Sequence, residues 1–114
     1  MPKHIVVLIR EDPTTSHRAA EAIRIALGLS TGTNPISIIL LNNARQLVSD
    51  NADDLPDGEI LEKHLPVIKN LEIPIILPLG SKELLPIDQE FTIQESSPAH
   101  MASLIEQADR VLAF

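Results

Sequence analysis

The chain has 114 residues, a length that fits one domain, and 44% of them are hydrophobic, enough for an ordinary core. A formal net charge of −7 with no basic run gives a phosphate backbone nothing to bind, and two phenylalanines without Trp or Tyr leave almost no stacking surface for bases. With no cysteine, disulfides, thiolate metal sites and cysteine nucleophiles are excluded.

The first strand is Ile5 to Ile9 (IVVLI), apolar at every position, as in a parallel sheet covered on both faces. A polar loop leads into a helix whose Ala19, Ala22, Ile23, Ala26 and Leu27 form one stripe. Asp12 before Pro13 suits an N-cap and first helical residue, with Thr14, Thr15 or Ser16 as alternative caps, and Gly28 suits the helix stop. After the turn Ser30 to Pro35, Ile36 to Leu41 forms a second buried strand ended by Asn42 and Asn43, and Ala44 to Val48 reads as a short helical piece. Ser49 to Gly58 is acidic and has no apolar period, which predicts a solvated, mobile connection; the spacing and closing Glu of a calcium loop are missing.

Glu59 to Leu71 has helical periodicity, with Pro66 expected to kink or split it and Asn70 to end it in a left-handed turn. Ile73 to Leu77 is a third strand. Pro78 to Asp88 has room for little more than one helical turn. Phe91 to Gln94 is a fourth strand. Ser97 and Pro98 cap a last helix with Met101, Ala102, Ile105 and Ala108 on its stripe, and Arg110 to Phe114 is the fifth strand. Alternating strands and helices predict a single α/β domain over residues 1–114. The expected architecture is three-layer α/β/α and flavodoxin-like, with a mainly parallel five-stranded sheet, the first strand central and helices on both faces.

Ligands in such sheets bind at the carboxyl ends of the strands. Here those ends are Arg10 to His17, Asn42 and Asn43, Pro78 to Ser81, and Gln94 to Ser97. The candidate ligand-binding residues are Asp12, Thr14, Thr15, Ser16, His17, Asn42, Asn43, Gly80 and Ser81. Hydroxyls at a helix start can hold an anion, but N-cap chemistry explains the same residue types, and Glu11 and Asp12 oppose a phosphate. The pair Glu11-Asp12 resembles the acidic pair of phospho-receiver domains, but Leu77-Pro78 stands where the phosphoacceptor Asp belongs, so that reading fails. The four histidines, His4, His17, His64 and His100, show no metal-ligand pairing, and Ser81 and Lys82 have no recognisable base beside them. No metal, cofactor or catalytic residue is expected. Leu79, Leu84 and Leu85 sit on an irregular segment too proline-rich for a covering helix and are the candidate interface. No apolar stretch reaches the ~18 residues of a membrane span, and no leader pattern is expected, which points to the cytoplasm.

The C-terminal stretch FTIQESSPAHMASLIEQADRVLAF, above all ADRVLAF, resembles the DsrE/TusD-like sulfur-relay family; the opening IVVLI and AAEAIRIALGLS are similar to it too. The resemblance covers about two thirds of the chain. It implies a small α/β domain that assembles, as a homotrimer or homohexamer before a dimer, and a cysteine-bearing sulfur carrier as partner. In some such proteins a cysteine at or just after the third strand takes up persulfide sulfur and passes it to a partner. The corresponding Ile76 to Pro86 (ILPLGSKELLP) has none. The resemblance therefore implies a non-catalytic assembly or scaffold subunit. The other reading is a small-ligand or nucleotide-binding module using the strand-end crevice.

Overall fold

The computed structural model describes residues 3–50 and 52–114. Five strands, β1 (Ile5–Ile9), β2 (Ile36–Leu40), β3 (Ile75–Pro78), β4 (Ile93–Ser96) and β5 (Arg110–Ala113), form one sheet in the order β4-β3-β2-β1-β5. Every pairing is parallel. β1 is interior, as its all-apolar sequence requires, but it is not the middle strand. The first three connections each step the same way, so β2 takes the centre and only β5 lies beyond β1.

Side-chain alternation sorts the strands onto two faces. Ile5, Val7 and Ile9 join Ile38, Leu40, Ile75 and Leu77 under α1 (Arg18–Ser30), the 3-10 segment Asn42–Val48 and α2 (Gly58–Asn70). Val6, Ile39 and Ile76 face the other way, under α4 (Pro98–Gln107), which contributes buried Met101 and half-buried Leu104 and Ile105. Ala102, expected on that stripe, is exposed. One face thus has three covering segments and the other has a single helix. Among the described residues no helix is long and apolar enough to cross a membrane.

Several local expectations change. Asp12 does not cap α1: its carboxylate accepts from the Thr14 N–H at 2.8 Å and the Thr14 hydroxyl at 2.6 Å, closing a separate turn, and α1 starts at Arg18. Gly28 lies inside α1. The Ser30 and Thr31 hydroxyls satisfy the Leu27 and Gly28 carbonyls and carry the helix end to Ser30. α2 runs unbroken through Pro66: that proline is exposed, so the carbonyl it frees meets water, while Leu61, Leu65 and Ile68 hold the opposite face in the core. The left-handed residue after α2 is Glu72 (φ 54°), not Asn70; Asn42 has the same conformation after β2. β4 starts two residues later than predicted because Phe91 turns into the core, at 6% exposure, before the strand begins.

The acidic connection is pinned rather than free. Ser49 pairs with Ile87 in an antiparallel bridge, a short 3-10 piece spans Ala52–Asp54, and Ser49 and Ala52 are buried. Asn51 of that connection lies outside the described residues.

Candidate functional site

The carboxyl ends of β1, β2 and β3 lie side by side, and the sheet draws the predicted polar residues into two separate groups. The first is at the end of β1. Asp12 holds Thr14 and accepts from Asn43 Nδ2 at 3.0 Å, which ties the loops after β1 and β2 together. These bonds, the Thr14 hydroxyl first, hold the Asp12 carboxyl below its ordinary range, so it stays an anion. The Ser16 hydroxyl accepts from the Arg18 N–H at 3.1 Å, at the start of α1. His17 Nδ1 lies 2.9 Å from an Asp57 oxygen at the start of α2. A cleft of about 110 Å³ runs among Pro13 to His17, Pro56 and Asp57. Two carboxylates, Asp12 and Asp57, stand in this group, and the Thr14 and Thr15 hydroxyls both donate to Asp12, to its carboxylate and its carbonyl. The arrangement repels an anion.

The second group is at the ends of β2 and β3. Gly80, with φ 87°, opens a single helical turn, α3 (Ser81–Leu84). Ser81 is fully buried: its hydroxyl donates to the Pro78 carbonyl at 2.6 Å and accepts from Arg45 Nη1 at 3.0 Å. Arg45 also donates from Nε to the Asn42 carbonyl at 2.8 Å. The residue that sequence reasoning missed is therefore Arg45. It bridges the β2 and β3 loops through neutral acceptors, and among the described residues no carboxylate pairs with it. A lone arginine in a short helical piece gives no periodic signal; only the left-handed Asn42 and the parallel register bring it to Ser81.

The apolar residues of the same segment point the other way. Leu79 is 61% exposed and Leu84 is 70% exposed, whereas Leu85 is half-buried beside an open groove. No family model matches the sequence, and no curated protein matches it. The fold has a close match among solved structures. The crystal structure of the ychN protein from E. coli superposes with a TM-score of 0.78 over 100% of both chains, at 19% identity. At that identity the likeness is one of fold, the parallel five-stranded α/β architecture that the alternating strands and helices of the sequence imply.

The remaining histidines do not converge. His4 shares a hydrogen bond of 2.9 Å with the Ser37 hydroxyl at the opposite end of the sheet, His64 is half-buried on α2, and the His100 N–H donates to the capping Ser97 hydroxyl. Among the described residues no group of three His, Asp or Glu is placed to hold a metal.

Proposed function

We propose that this chain is a non-catalytic, cytoplasmic subunit of DsrE-like fold that assembles with copies of itself and serves as a scaffold in intracellular sulfur transfer. One observation carries the reading. In the segment after β3, where the resemblance puts a sulfur-accepting cysteine, there is no thiol and the one hydroxyl, that of Ser81, is fully buried and committed to two hydrogen bonds, while Leu79 and Leu84 face out. A group that receives sulfur from a partner must be exposed and ionisable; a serine hydroxyl turned inward is neither. Two leucines left in water on a rigid turn are a contact surface. A domain of this size buries only about two thirds of its unfolded surface, so subunit contact adds burial that the fold itself lacks.

A homotrimer or homohexamer is favoured over a two-fold dimer, and a cysteine-bearing sulfur carrier is the expected heterologous partner. The test is incubation of the purified protein with a persulfide donor, followed by intact-mass spectrometry. The mass is expected to stay that of the unmodified chain. A stable adduct of one sulfur would overturn the non-catalytic reading.

A further inference from the structure

The outer edge of β4 is open, and its backbone bonds show which groups it offers. The Ile75 N–H donates to the Thr92 carbonyl at 2.9 Å and the Leu79 N–H to the Ser96 carbonyl at 3.2 Å. Even-numbered residues of β4 therefore face β3, and the two-residue period turns the main-chain groups of Ile93 and Glu95 to the free edge. Beside this edge lies an open groove of about 540 Å³, within the roughly 300–1,000 Å³ typical of ligand clefts. Leu85, Ile87, Phe91 and Ile93 give it apolar walls, and Asp50 and Lys82 stand in its lining. Ile93 belongs to both features, with its main chain on the edge and its side chain in the groove. Strand addition needs this pairing of a hydrogen-bonding edge with a pocket for alternate side chains.

Charge selects the occupant. Asp50 offsets Lys82 within the groove. The Glu95 carboxylate accepts the Lys82 backbone N–H at 2.9 Å, and the Glu90 side chain, 79% exposed, lies 3.7 Å from Lys69 Nζ, an ammonium already shared with Asp88. Carboxylates thus outnumber ammonium groups along the edge. A second copy would bring the same carboxylates to this edge, and like charges facing across a strand pair are destabilising. Resting on the reading of this chain as a protein-contact subunit, we infer that the groove takes an extended segment of a partner protein. In that segment apolar residues alternate with Lys or Arg, and it adds as a sixth strand along β4.

The test is fluorescence anisotropy with a labelled synthetic hexapeptide of alternating valine and lysine, titrated with the unmodified protein. Saturable binding is expected. N-methylation of one alternating set of peptide amides should weaken it by about tenfold or more, about one net hydrogen bond's worth, and methylation of the other set should not. Exchange of lysine for glutamate should abolish it. Glu95→Pro removes one outward N–H together with the carboxylate that accepts the Lys82 N–H, leaves the ladder bonds of residues 94 and 96 to β3 in place, and should weaken binding at least as much with unchanged circular dichroism. The peptide arms decide the matter even if that variant misfolds. Absence of saturable binding would overturn the inference. So would equal effects of both methylation sets, a glutamate peptide that binds as well, or self-association of the protein that Glu95→Pro abolishes. A sulfur adduct in the persulfide experiment would sink the non-catalytic reading and leave this titration unaffected, so the two failures are distinguishable.

Discussion

The loops after β1 and β3 end at the same rim of the sheet and are built inside out relative to each other. After β1, Pro13 is buried while Thr14, Thr15 and His17 are exposed. After β3, Ser81 is buried while Leu79 and Leu84 are exposed. The first arrangement is what water favours. The second is stable only because Arg45 and the Pro78 carbonyl satisfy the Ser81 hydroxyl. The difference teaches that a hydroxyl at a strand end can be spent entirely on internal hydrogen bonds, and it is the ground for proposing the β3 loop as a contact surface.

Five substitutions would break or sharpen the contrast. Ser81→Leu should have the largest effect, because it removes both hydrogen bonds and overfills a closed position: about 2–4 kcal/mol of stability lost, read from urea unfolding. Gly80→Ala comes next. No atom obstructs an added Cβ, so the cost is the left-handed backbone alone, about 1–2 kcal/mol by the same measurement.

Lys69→Met tests the tie that holds the far side of the β3–β4 connection to α2, and should cost about 1 kcal/mol. Lys69 Nζ donates to Asp88 Oδ2 at 2.6 Å and lies 4.9 Å from the centre of the Phe91 ring. The hydrogen bond to Lys69 holds the Asp88 carboxyl below its ordinary 3.8, and the same bond raises Lys69 above its ordinary 10.5. The tie's contribution is therefore complete between about pH 4 and pH 10. It fades as pH falls through the lowered Asp88 value, and at the other limit as pH rises through the raised Lys69 value. Stability measured against pH should lose part of its acid limb in Lys69→Met. The smallest effects on folding are expected for the mirrored pair: about 0.5–1 kcal/mol for Thr14→Leu, which loses an exposed hydrogen bond to Asp12, and within about 0.5 kcal/mol for Leu84→Asp, whose side chain is exposed in the single chain.

Much of the fold is legible in the sequence because it rests on periodicity. The unbroken Ile5–Ile9 run, the stripe of α1 and the Ser97-Pro98 cap each depend on near neighbours, and each is found. The misplaced details depend on partners distant in sequence. Pro66 stays helical because Leu61, Leu65 and Ile68 are anchored in the core. Strand β4 begins at Ile93 because Ile93 pairs with Ile75. The strand-end residues were identifiable as a set, but not their orientation. Whether Ser81 faces in or out depends on Arg45, which lies 36 residues away and carries no pattern of its own.

The central claim is that the β3 loop is an assembly surface without a reactive group, and sedimentation equilibrium at micromolar concentration tests it most directly, with the unmodified protein run beside Leu84→Asp. The account predicts a mass three or six times that of the 12.5 kDa chain for the first, and the single-chain mass for the second with unchanged circular dichroism. A single-chain mass for the unmodified protein, or the same assembly in both, would contradict it.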